Sequence, residues 1–226
     1  HFDDTIATWH TCPASGPVFS PTPATGYLFL NNTACSVATL NVNRFVDVEG
    51  RFDIEALRHV VTLFTIALDI LIDISDYAHP NTARNTRAHR PIGLSYAGLA
   101  PLLMRLTLPY DSDLGRAYAA ALTSFITATV CATSQRLAVA TEPFSKYKAN
   151  QASLLAVIRR HAAAAAAIDA SGPASPLHES AHMAWTHIIR TASATGFRNS
   201  YFTMLAAAEV AGLILDCDAS DLGPLS

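Results

Sequence analysis

CSVATLNVNRF (35–45) and HRPIGLSYAGL (89–99) are the two stretches whose reading decides the fold. In the first, Val37, Ala38, Leu40 and Val42 crowd too closely for periodicity to separate strand from helix. In the second, Pro91, Gly93 and Gly98 predict a loop that enters a short helix over 99–106. Between the two, Asp53 has the position of an N-cap. From there Ile54, Leu57, Val61, Phe64, Leu68, Leu71 and Ile72 recur at three- and four-residue steps. That spacing predicts one long amphipathic helix ending near Ser75.

Upstream, residues 1–26 hold Pro13, Pro17, Pro21 and Pro23 with Gly16 and Gly26, so a mostly irregular opening segment is expected. A short strand is expected over 27–30. Residues 27–226 are taken as part of one domain. Downstream, 81–89 is polar and reads as a connection. Asp111 or Ser112 caps a long helix reaching about Ala140, rich in small residues suited to close packing. A further helix covers 151–168, where the alanine run 162–167 needs only high helix propensity to explain it. After a break over 171–176, a helix over 178–195 stops at Gly196.

Half of the 226 residues are hydrophobic and 15% are charged, which excludes disorder and predicts a sizeable core. The net charge of −3 and the lack of a Lys/Arg run argue against nucleic acid as partner. Asp69 and Asp73 interrupt the most apolar helix, so no membrane association is expected. Cys12, Cys35, Cys131 and Cys217 lack CxxC spacing, which speaks against a disulfide scaffold or a cysteine zinc site. The chain opens on His1 and is expected to be a piece of a longer protein.

The two opening stretches, with Arg198-Asn199-Ser200, Gly98-Leu99-Ala100 and the Phe52-Asp53 helix start, resemble the class I ribonucleotide reductase large subunit in order and spacing. The resemblance implies an α/β fold, helix-rich here, forming the second half of a ten-stranded α/β barrel. It also implies an Asn-x-Cys-x-Glu finger loop whose cysteine becomes a thiyl radical, and a redox-active cysteine that matches Cys35. Counting back from Cys35 without gaps places Val18, Ser20 and Thr22 at the three catalytic positions. None of the three can do that chemistry, because a serine O–H bond is too strong and neither Val18 nor Thr22 carries a carboxylate.

The family holds the substrate diphosphate on a hydroxyl-bearing loop after Arg-Asn-Ser. Here that loop reads Ala206, Ala207, Ala208, Glu209 and Val210. A carboxylate beside an anion opposes binding. The expectation on these two defects is a reductase-like protein without reductase activity or cofactor, similar to the homologues of betaherpesviruses. The resemblance then implies viral or host proteins as partners in the virion and host cytoplasm, modulation of host signalling and cell death, and self-association as a homodimer. The alternative is a divergent active ribonucleoside-diphosphate reductase.

A second alternative comes from His178-Glu179-Ser180-Ala181-His182, which spells the HExxH pattern of zinc hydrolases. Its first histidine falls at a helix start and no third ligand beyond Glu209 suggests itself, so no metal is expected. Without a radical cysteine nearby the redox role of Cys35 has no purpose, and a buried structural thiol is the preferred reading. Asp69, Asp73 and Asp76 read as a solvated helix face, and Arg87, His89 and Arg90 as the anchor of a barrel loop.

Overall fold

The computed structural model describes residues 3–19, 21, 26–205, 215 and 223. The opening segment contains a short helix, α1 (Asp3–Trp9), and a 3-10 turn at Pro13–Ser15, so it is more ordered than its prolines predict. Residues 27–30 form no strand. The ambiguous stretch resolves as β1 (Ser36–Asn41).

The helix α2 (Ile54–Ile74) forms as its spacing dictates. The Asp53 carboxylate accepts from the Ala56 amide at 2.9 Å, which satisfies a donor that the first turn leaves open. Its buried residues Leu57, Val61, Thr65, Leu68 and Ile72 make one stripe, and that stripe packs against both strands.

The polar connection is a helix, α3 (Pro80–His89), with proline in its first turn and the His79 imidazole capping Asn81. The expected loop at 92–97 is instead a strand, β2 (Ile92–Ala97), every residue of which is buried. A strand covered on both faces has no alternation to show, and Pro91 and Gly93 drew the reading towards a loop. β1 and β2 pair in parallel, Ser36 opposite Ile92 and Asn41 opposite Ala97. On the other side of β2 runs 201–204. The Ile92 amide donates to the Tyr201 carbonyl, the Leu94 amide to that of Phe202, and the Met204 amide to that of Leu94, all at 3.1 Å. Of the expected barrel, the described residues form these three adjoining extended segments, two of them regular strands.

The remaining helices are α4 (Leu99–Arg105), α5 (Asp113–Ala140), α6 (Tyr147–Ala166) and α7 (Ser175–Thr195). Ser112 is the cap of α5 and receives the Gly115 amide at 3.0 Å. α5 is long and apolar enough to cross a membrane, but 67% of its apolar window is buried within the fold, as a central core helix requires. It packs along α7 and α2, and α6 closes on α7.

Candidate functional site

Cys35 enters β1 opposite the start of β2. A Cβ added at Gly93 would lie 2.5 Å from the Met204 sulfur and 3.1 Å from Cys35 Sγ, so glycine leaves the room that thiol and thioether fill. Burial pushes the Cys35 thiol up to about 12, which keeps it protonated at neutral pH. Tyr27 and Tyr201 stand beside it, their rings edge to face at 5.0 Å. Burial and then the neighbouring Cys35 push the Tyr201 phenol up to about 12 as well. The Tyr27 hydroxyl meets Thr33 Oγ1 at 2.9 Å. Cys12 is fully buried and its thiol is also pushed up to about 12 by burial, which the adjacent Thr11 and Ser200 side chains only partly offset.

A cavity of about 300 Å³ opens over this sheet, lined in part by Gly26, Tyr96, Thr127, Tyr201, Thr203 and Met204. Its polar groups are hydroxyls, and none of its lining residues is charged. Among the described residues such a wall offers hydroxyls that can orient the polar groups of a ligand.

The signature residues beside the sheet serve as a buried tie. Arg90 caps α3 in the left-handed conformation (φ 51°) and turns its guanidinium inward. It meets Asp69 at 2.9 Å and Asp73 at 2.7 Å. Asn199 donates to Asp69 Oδ1 at 2.8 Å and to the Arg90 carbonyl at 3.1 Å. Ser134 on α5 donates to Asn199 Oδ1 and receives the Asn199 amide, both at 2.9 Å. Arg198 completes the set with Asp69 at 3.4 Å. Two carboxylates and two guanidiniums thus knot α2, α3, α5 and the turn before 201–204. Hydrogen bonds from Arg90 hold the Asp73 carboxyl below its ordinary range. Burial acts to lower the Arg90 guanidinium, but its two aspartates raise it.

The expected solvated face is therefore corrected at Asp69, which is buried; Asp73 is exposed while it pairs with Arg90, and Asp76 is exposed. A single sequence gives helical spacing but not the arginine that arrives from elsewhere. The anchoring role expected of Arg90 is what the geometry displays.

Of the three counted catalytic positions, Val18 lies half-buried in a loop, and Ser20 and Thr22 lie outside the described residues. Ala206, Ala207, Ala208, Glu209 and Val210 also lie outside them. In the HExxH segment, which sits in the first turns of α7, the His178 and His182 rings are 6.3 Å apart. His178 Nε2 bonds the Ala165 carbonyl, and Glu179 accepts from Ser175. Among the described residues no three His, Cys, Asp or Glu side chains converge on a metal position, and Glu209, the third ligand the sequence offered, lies outside them.

Compared with known proteins, the chain matches the family model "Ribonucleotide reductase, barrel domain" over residues 1–223. It is 37% identical over 99% of its length to a vitamin B12-dependent ribonucleotide reductase of Rhodopirellula baltica, of which it covers 21%. The proteins of that name from Streptomyces coelicolor and Agrobacterium fabrum are 38% and 35% identical over 99% of the chain, which covers 24% and 19% of them. The chain thus spans about a fifth to a quarter of the relatives it matches.

These findings overturn the expected viral structural or interaction protein. The relatives are bacterial and named for reductase activity, and they favour the reductase alternative. The expectation of lost activity rests on a count back from Cys35 and on an altered loop whose five residues all lie outside the described set. With the family model matched over nearly the whole chain and three relatives above 30% identity, the chain belongs to the ribonucleotide reductase barrel-domain family.

Proposed function

We propose that this chain is barrel wall of a ribonucleotide reductase of the vitamin B12-dependent kind, an enzyme that replaces the 2′-hydroxyl of a ribonucleotide with hydrogen. One observation carries the reading: identity of 35–38% over 99% of the chain to bacterial proteins of that one name. Within that reading Cys35 is the chain's reducing thiol. Replacing a C–OH by C–H takes two electrons and two protons, which a pair of thiols gives up on closing to a disulfide. Cys35 supplies one thiol of such a pair, and its burial keeps the hydrogen on sulfur until a partner thiol approaches.

The vitamin named for the relatives finds no fitting site among the described residues. The cavity over the sheet, of about 300 Å³, is too small to enclose a corrin ring with its nucleotide tail. No step is therefore assigned to cobalamin on these residues.

The test is turnover by the full-length protein, given adenosylcobalamin, a dithiol and each ribonucleoside diphosphate and triphosphate, with deoxyribonucleotide read by chromatography. Product that disappears in Cys35→Ser, with the fold kept by circular dichroism, is the expected result. A folded full-length protein that yields no deoxyribonucleotide, under conditions where the Streptomyces coelicolor relative does, overturns the reading.

A further inference from the structure

A cavity of about 560 Å³ opens at the N-terminal ends of the strands, lined in part by Gly16, Asn31, Asn85, His89, Lys146 and Ala149. Asn31 precedes β1, His89 precedes β2, and the His89 carbonyl accepts the Ser200 amide just before 201–204. The loop matched to the family's diphosphate follows the opposite end of that third segment in sequence.

His89 is only 5% exposed. Its Nδ1 lies 3.0 Å from the Asn85 carbonyl. A carbonyl can only accept, so Nδ1 carries the hydrogen and Nε2 of the neutral ring is left as an acceptor. That Nε2 is buried and has no hydrogen-bond partner among the described residues. An acceptor shut away from water and unpaired is costly, and it calls for a donor from outside the chain.

The groups around the ring say what carries that donor. Burial is the largest cause that holds the imidazole below the usual histidine range, and the nearby Lys146 and His10 add to it. His10 is engaged elsewhere, donating from Nε2 to the Gly16 carbonyl at 2.8 Å. The Phe29 and Phe144 rings, at 6.1 and 6.4 Å, are uncharged. Lys146 is exposed and in no ion pair among the described residues. It stands at the N-cap of α6, whose first turn no side chain caps. An ammonium and the positive end of a long helix both favour an anion.

We propose that this cavity binds a protonated phosphate, free or as a monoester, whose O–H donates to His89 Nε2 while its other oxygens face Lys146 and the start of α6. Hydrogen phosphate is donor and anion at once. Sulfate has the same shape and, at pH 7.5, the same charge, but no hydrogen to give. The inference goes beyond the reductase reading and does not depend on it.

Phosphorus NMR of inorganic phosphate with the full-length protein reports binding as saturable line broadening. At pH 7.5 phosphate is expected to bind about tenfold more tightly than sulfate added as competitor, because sulfate leaves Nε2 unmet. At pH 5.5 the gap is expected to narrow, since an imidazolium donates to either anion. Lys146→Gln is expected to weaken phosphate about tenfold, and Lys146→Arg to restore it. His89→Gln, whose amide can donate to both anions, is expected to erase the preference for phosphate. Should that variant melt well below the parent, Lys146→Gln and the sulfate comparison carry the test. Glycerol 3-phosphate at pH 6, where a monoester holds its second proton about half the time, tells the two sources apart. Tighter than free phosphate, it marks an ester site; weaker, a site for the free ion; both keep the proposal.

The proposal falls if phosphate gives no saturable broadening at millimolar concentration. It also falls if sulfate competes as well as phosphate at pH 7.5, or if Lys146→Gln leaves the affinity unchanged. None of these readouts uses turnover. Phosphate binding in a protein without reductase activity sinks the function and leaves this site. Turnover in a protein whose phosphate affinity ignores Lys146→Gln sinks this site and leaves the function.

Discussion

Arg90 shows how much of this fold hangs on single side chains. It is buried, and its guanidinium is shared between Asp69 and Asp73. Removing one member of a buried ionic set leaves the others desolvated and underpaired, which costs more than the set contributes when intact. Arg90→Ala is expected to lower the unfolding free energy by about 3 kcal/mol in urea titration, the lower end of the range because Arg198 and Asn199 still reach Asp69. A loss below about 1 kcal/mol would place the residue with surface pairs instead. Cys35 makes a second case. With its thiol pushed up to about 12, the thiolate fraction at pH 8 is on the order of one in ten thousand. Iodoacetamide labelling followed by mass spectrometry is expected to modify Cys35 at least a hundredfold more slowly in the native protein than in urea. Equal rates would mean that the site opens freely.

Among the elements, α2 is the one most plainly written in the sequence, and its cap can be tested alone. Asp53→Ala removes the acceptor for the Ala56 amide in an exposed first turn. A loss of about 1 kcal/mol is expected, with Asp53→Asn close to the parent; a urea midpoint unchanged in both would show the cap to be idle. What was legible is what local rules govern: Asp53 and Ser112 as caps, the apolar stripe of α2, the stop at Gly196. β2 was hidden because burial on both faces erases alternation, and α3 because its ten residues, seven of them polar, rely on caps and on Arg90 rather than on an apolar stripe. The site was less legible still. Cys35 stood out through its neighbours in sequence, but Asp69, Ser134 and Asn199 meet only when α2, α5 and the turn before 201–204 converge. His89 sat beside Arg87 and Arg90 and read as part of an anchor, and Lys146 lies far from it in the chain.

For the molecule as a whole, the buried histidines set the response to acid. His10, His89 and His161 all lie below their ordinary value near 6.5, burial being the largest cause in each. A carbonyl bond partly offsets it in two of them, His10 through Gly16 and His89 through Asn85. A histidine depressed by folding binds its proton more readily in the unfolded chain. Between the folded and unfolded values the unfolded state therefore holds more protons, and stability falls as pH falls. The contribution is complete above about pH 7 and drains away below about 6.5. Asp73 has the same sign at lower pH, because its depressed carboxyl stabilises the fold above its ordinary value of 3.8 and loses that effect as it protonates. The urea midpoint is thus expected to be level from pH 8 to 7 and to decline steadily from 6.5 to 5, before any carboxylate takes part. His161→Gln and His89→Gln should each flatten part of that decline while lowering stability at pH 8. A midpoint flat from pH 7 to 5 in the parent chain would mean that folding leaves these rings with the pKa values of the unfolded chain.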